Sequence, residues 1–168
     1  MSTLITTTAQ IGTIKDAGGN ATAMTIDSAG RILTPARPSF RAKPSSTTTV
    51  AANNDIVYGD VTTSGFGLHN IGAHYNTSNG IFTAPIAGVY FFAFNCYQNN
   101  TSDCEVDLFI GSQAIAVGRN FSDGASYDSL EVSTNILLSA GDQVKVRVVN
   151  GTAYVNTSVS SFSGFLIG

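Results

Sequence analysis

From about Val50 to the carboxy terminus, apolar and polar positions follow a two-residue rhythm, and no segment sustains a 3.6-residue one. Candidate strands are Asp55–Tyr58, His69–Ile71, Gly80–Thr83, Val89–Cys96, Glu105–Ile110, Ala114–Arg119, Asp128–Leu138, Gln143–Val149 and Phe162–Ile167. Turn signals separate them, among them Asn79-Gly80, Gly111-Ser112, Ala140-Gly141-Asp142 and Asn150-Gly151. Many short strands at such spacing predict an all-β sandwich or closed barrel. Glu105–Leu108 and Val144–Val148 alternate as half-buried strands do. Val89–Phe94 does not: Tyr90, Phe92 and Phe94 share one face, and Val89, Phe91 and Ala93 share the other. The last strand repeats this, with Phe162 and Leu166 on one face and Phe165 and Ile167 on the other. A sheet of a two-layer sandwich has one inner face, so the second apolar face needs another cover. Burying a Phe is worth roughly 1.5–3 kcal/mol, and exposed patches of that size usually mark interfaces. The sheet is therefore expected to face its own core and a partner subunit, the alternative cover being a loop or the leading residues. Periodicity alone leaves open which face is which.

Residues 1–37 form a separate arm, and 38–168 the domain. The arm is polar, rich in Thr and Ala, with short strand-like pieces at Ala23–Ile26 and Arg31–Leu33 around the turn Asp27-Ser-Ala-Gly30. It is too small to bury a core alone. It must either stay loose or dock on something, with Met24, Ile26, Ile32 and Leu33 as anchoring candidates for the docked case. Pro35, Pro38 and Pro44 favour extended backbone, and Ser45–Thr49 reads as a loop.

Only 11% of the 168 residues are charged, against about 25% in typical soluble chains; such economy suggests surface hidden in an assembly. The net charge of −3 offers no basic field for nucleic acid and no polybasic segment for a membrane surface. No apolar run approaches the roughly 18 residues of a spanning helix, and Met1–Thr8 lacks the features of a signal peptide. Cys96 and Cys104 flank a seven-residue polar segment; a disulfide fits that spacing, but two free thiols are favoured because Cys96 reads as a small core residue. Catalytic chemistry is not expected, nor is a cofactor. There are two histidines, His69 and His74, with no Gly-x-Ser-x-Gly elbow and no P-loop. Asp103, Glu105 and Asp107 offer oxygens suited to Ca²⁺, yet without a Ca²⁺-loop pattern a solvated acidic edge is the simpler reading, and no metal is expected. Tyr97, Phe121 and Tyr127 stand among amides and hydroxyls in outer loops, as contacts to a receptor or glycan would.

Three ordered motifs go further: Tyr75-Asn76 followed by Asn79-Gly-Ile-Phe-Thr-Ala-Pro-Ile-Ala-Gly-Val-Tyr-Phe-Phe92, then Leu138-Ser-Ala-Gly-Asp-Gln-Val144, then Ser161-Phe-Ser-Gly-Phe-Leu-Ile167. Residues 38–168 thereby resemble the C1q/TNF-like jelly-roll family, on its C1q side. The resemblance implies a ten-stranded jelly roll and a tight homotrimer around a three-fold axis. The strand at Val89–Cys96 and the last strand would line that trimer, making Tyr90, Phe91, Phe92, Phe94, Phe162, Phe165 and Ile167 interface or core candidates. It also implies a binding or assembly module without catalytic activity. The chain departs from the secreted members in having no Gly-X-Y stem, no heptad repeat and no Trp. Gly19–Pro35 is similar to leader segments of structural proteins from tailed bacteriophages, marine cyanophages included. Together the two resemblances imply a virion structural protein on the particle surface. Its extended N-terminal arm would hold it to the major capsid protein or another virion protein, as in a capsid decoration (cement) protein or short head fibre. The alternative is the receptor-binding tip of a tail or head fibre, recognising a host surface glycan or protein.

Overall fold

Every regular element in the computed structural model is a strand. The structure describes residues 12–15, 18–19, 22–98, 103–121 and 128–168. Among them no helix occurs, and so none is long and apolar enough to cross a membrane. The chain divides into two units, residues 1–37 and 38–168.

The leading unit is a small antiparallel meander rather than one extended run. It comprises β1 (Thr13–Lys15), β2 (Thr22–Ile26) and β3 (Ile32–Leu33). The Asp27–Arg31 turn is held locally. The Asp27 carboxylate accepts the Ala29 and Arg31 backbone N–H groups, both at 2.9 Å, and pairs with the Arg31 guanidinium at 2.7 Å. These Arg31 contacts hold the Asp27 carboxyl below its usual value. The pairings Ile14↔Met24 and Ile26↔Ile32 put four apolar side chains on one face. Of the anchoring candidates, Met24, Ile26 and Ile32 lie there and Leu33 lies on the other face; Ile26, Ile32 and Leu33 are exposed and Met24 is half-buried.

The second unit contains β4 (Ser39–Ala42), β5 (Thr48–Ala51), β6 (His69–Ile71), β7 (Tyr75–Asn76), β8 (Ile81–Thr83) and β9 (Gly88–Gln98). There follow β10 (Cys104–Ile110), β11 (Gln113–Asn120), β12 (Ser129–Leu138), β13 (Gln143–Asn150), β14 (Thr152–Val155) and β15 (Ser161–Leu166). One sheet has the order β11-β10-β13-β8-β7. The other runs β5-β14-β9-β15-β4-β6, with β12 along the opposite edge of β9. Twelve strands among the described residues thus replace the ten expected. The surplus comes from short strands: β5 pairs with β14, Thr48↔Val155 through Ala51↔Thr152, where Ser45–Thr49 reads as a loop. Conversely, Asp55–Tyr58 is not a strand. Ile56 and Tyr58 are both buried, and the segment meets β13 through an isolated Asp55↔Arg147 bridge.

The sheets close over an aromatic cluster. Phe40 stacks on Tyr75 at 4.5 Å, Phe162 meets Phe40 edge-on at 4.9 Å, and Phe82 sits 5.4 Å from Phe92. Buried tyrosine hydroxyls find partners: Tyr75 donates to the Tyr58 carbonyl at 3.0 Å and Tyr58 to that of Asn95 at 3.2 Å. Gly164 is where β15 crosses Phe92; a Cβ there would lie 2.5 Å from the Phe92 ring. Any side chain would push the ring out of the cluster.

Candidate functional site

The site grows from the outer face of β9. Along this strand Tyr90, Phe92, Phe94, Cys96 and Gln98 are buried, while Val89, Phe91, Ala93, Asn95 and Tyr97 are half-buried on the other side. The strand register extends that second face sideways. Ile71 pairs with Ser39, Ser39 with Phe165, Phe165 with Phe91, and Phe91 with Asn135, one rung across five strands. The Phe91 and Phe165 rings lie 5.3 Å apart. One step towards the sheet end, Ile167 hydrogen-bonds Val89 at 2.7 Å and Val89 pairs with Leu137. Leu137 is 77% exposed, Phe165 and Ile167 42% each, and Ile71 41%. These residues form a continuous apolar end on a sheet face whose other side already covers a core.

The opposite end of the same face is polar and hollow. Ala93, Asn95, Glu131, Ser133, Ser161 and Ser163 line a space of about 500 Å³. Small side chains on three adjacent strands leave that volume open. The Asn95 amide is used within the chain, donating to the Val159 carbonyl at 2.6 Å and accepting the Ser161 backbone N–H at 2.8 Å.

Comparison with known proteins adds the family. The C1q domain family matches residues 39–167. This chain belongs to the C1q domain family. It is 27% identical over 117 residues to complement C1q tumor necrosis factor-related protein 3 of Mus musculus, covering 68% of this chain and 45% of that protein. It is 33% identical over 106 residues to Caprin-2 of Danio rerio, covering 60% of this chain and 11% of that protein. The chain therefore spans less than half the length of these relatives. Among solved structures, it is similar to the globular domain of zebrafish complement 1qA protein, with a TM-score of 0.62 at 17% identity, over 79% of this chain and 98% of that one. Eiger TNF from S. frugiperda follows at a TM-score of 0.58 and 12% identity, over 79% and 92%. Murine APRIL is similar at 0.57 and 11%, over 78% and 99%. The jelly-roll fold is thus the C1q/TNF one, and domains of this type are non-enzymatic binding modules.

Within the C1q domain the aromatic candidates separate cleanly. Tyr90, Phe92, Phe94 and Phe162 are core; Phe91, Phe165 and Ile167 are on the outer face. Tyr97 is not at a loop tip: it sits within β9, paired with Ser129 and Tyr154. Phe121 is 67% exposed just after β11, and Tyr127 lies outside the described residues. The three acidic candidates do not gather. Glu105 is held by Arg119 at 2.5 Å, and no group of three His, Cys, Asp or Glu among the described residues could hold a metal. Asp107 is buried under the outer surface of the five-stranded sheet, with its Oδ1 atom lacking a hydrogen-bond donor. Burial, aided by the Glu105 charge, pushes its carboxyl above the usual value. Cys96 and Cys104 are free, buried thiols on β9 and β10, which belong to different sheets. Burial pushes Cys96 far up and Cys104 up to about 11.

Leu137 and Ile71 were not singled out from sequence. The Leu137-Leu138 pair breaks the alternation at the end of β12, and that doublet was the available signal.

Proposed function

We propose that the C1q domain is a homotrimeric assembly and binding module whose copies meet through the outer face of the β12-β9-β15-β4-β6 sheet. The observation that carries this reading is the solvent-facing rung of Phe91 and Phe165, continued by Val89, Leu137 and Ile167. A sheet apolar on both sides resembles a domain core cut in half, as obligate interfaces do. Sedimentation of the full chain tests it. A mass three times that of the chain is expected, and a monomer at micromolar concentration would refute it.

The same proposal places the trimer on a phage particle, with the leading meander as its attachment to capsid or other virion proteins. What supports this setting is the leader-like stretch Gly19–Pro35 and the exposed apolar face of β1–β3; both lie outside the matched 39–167 region. Deleting residues 1–36 should leave a folded trimer that no longer joins particles. The alternative role, a tip that recognises a host glycan or protein, is favoured by exposed Phe121 just after β11. Particles lacking the protein separate the roles: fragile shells point to the cement role, and lost adsorption with sound shells to the receptor-binding one.

A further inference from the structure

We propose that the polar hollow on the outer sheet face receives Arg41 of a neighbouring copy, which pairs there with Glu131 and sets the register of the assembled ring. The inference rests on the trimeric reading above and adds the chemistry that fixes which parts of two copies meet.

Glu131 is exposed on β12, at the rim of the hollow. Its carboxylate accepts the Ser129 hydroxyl at 3.2 Å, and among the described residues no base reaches it. Arg41 is exposed on β4 of the same face and likewise has no acid among the described residues. Its neighbours on the chain are differently placed, since Lys43 pairs with Asp60 at 3.5 Å and lies over the Phe66 ring. The two unpaired charges cannot satisfy each other within one copy. From β4 the path to β12 crosses β15 and β9, three strand spacings, or about 14 Å at roughly 4.8 Å each.

A ring of three makes head-to-tail contacts, in which one side of the patch on each copy meets the opposite side on the next. Glu131 and Arg41 stand on opposite sides of the patch and carry opposite sign. The hollow suits a guanidinium. Ser133, Ser161 and Ser163 supply hydroxyls, Ala93 leaves room, and the Asn95 amide is already committed. The carboxylate disfavours an anionic guest, and the single acid among the lining residues is too little for a metal cage. The apolar rung around Phe91 and Phe165 adjoins the hollow, so docking it would shield the ion pair from solvent and strengthen it.

Charge reversal in the full chain tests the pairing, read by sedimentation over a range of protein concentrations. Both residues are exposed, so each variant keeps its fold, verified by thermal melting. Glu131→Arg or Arg41→Glu should each raise the concentration at half-dissociation by about tenfold or more, and the double reversal should return it to within about threefold of the starting protein. Single reversals with no effect, or a double reversal as weak as the two singles combined, would overturn the pairing while leaving the trimer standing. Free arginine that binds the parent chain but not Glu131→Gln, with assembly indifferent to every reversal, would assign the hollow to a soluble cation and also overturn it. A parent chain that is monomeric throughout would remove the trimeric reading itself, and the pairing with it.

Discussion

Adjacent residues on one strand give the sharpest test of the two-faced sheet. Phe92 is fully buried, with the Phe82, Tyr90, Phe162 and Phe40 rings at 5.4–6.4 Å. Truncating a buried Phe costs about 3–5 kcal/mol, and leaving a serine hydroxyl unsatisfied there adds about 1–3 kcal/mol. A domain with roughly 5–15 kcal/mol of total stability would lose much or all of it in Phe92→Ser. Phe91 is half-buried, and its ring contact in the chain is Phe165 at 5.3 Å. Losing that aromatic pair costs a separated copy about 1 kcal/mol. In the trimer each copy also loses the burial of the part of Phe91 still exposed in a separate copy, at most about a third of the roughly 1.5–3 kcal/mol of full burial, or about 1.5–3 kcal/mol over three copies. At about 1.4 kcal/mol per tenfold, the trimer association constant falls by roughly one to two orders of magnitude. Circular dichroism melts paired with sedimentation should show Phe91→Ser as folded but about ten- to a hundredfold weaker in trimer association, and Phe92→Ser as unfolded or nearly so. If Phe91→Ser associates as tightly as the parent chain, or unfolds as Phe92→Ser does, the assignment of faces is wrong.

Other consequences follow from single residues. Gly151 holds φ +70° between β13 and β14, and a Cβ there would sit 2.2 Å from the Asp103 carbonyl oxygen; Gly151→Ala should therefore lower thermal stability by about 3 kcal/mol or more. Asp107 is buried with a raised carboxyl, so its folded state holds the proton more tightly than the unfolded chain and stability falls as pH rises through that range. Asp107→Asn should melt higher than the parent at pH 7, with the gap closing below about pH 4; an unchanged gap at low pH would contradict the assigned cause. The native chain should resist thiol alkylation at pH 7.5 because both Cys96 and Cys104 are buried and their thiols are pushed upward, and both should label fully in denaturant.

How much of this was legible depended on how loudly a residue speaks in a hydrophobicity pattern. The apolar run Val89–Phe94 announced a strand with two covered faces, because alternation failed where large side chains stood on both sides. Which face was core depended on partners some seventy residues away: Phe162 is buried while Phe165 is 42% exposed, and nothing local to Ser161–Leu166 distinguishes the two. Thr48–Ala51 and Thr152–Val155 are strands because they pair with each other. Both runs are only four residues long, Thr-Thr-Val-Ala and Thr-Ala-Tyr-Val, and carry little signal of their own, so context decides. Asp55–Tyr58 failed in the opposite direction: its apolar residues are buried, but the backbone pairs irregularly with β13. The hollow was silent in sequence, since Ala and Ser at alternate positions look like ordinary solvent-facing residues until register brings three strands together.

Composition had suggested hidden surface from scarcity of charge alone, and the positions of those charges sharpen the argument. Of the eight basic residues, Arg31, Lys43, Arg119, Lys145 and Arg147 are in ion pairs within the chain. Asp55 draws on two of them: burial pushes its carboxyl up, and the Arg147 and Lys145 contacts outweigh that and hold it below the usual value. Such pairs need no partner molecule. On the outer face of the β12-β9-β15-β4-β6 sheet the polar positions are mostly Ser and Asn, which lose little when water is excluded if they are hydrogen-bonded. A face meant only for solvent has no reason to avoid Lys and Glu. A face that is to be covered does, because each buried charge without its counterpart is costly. Arg41 and Glu131 depart from that economy. Their opposite signs on opposite sides of one face are what a head-to-tail contact between copies requires.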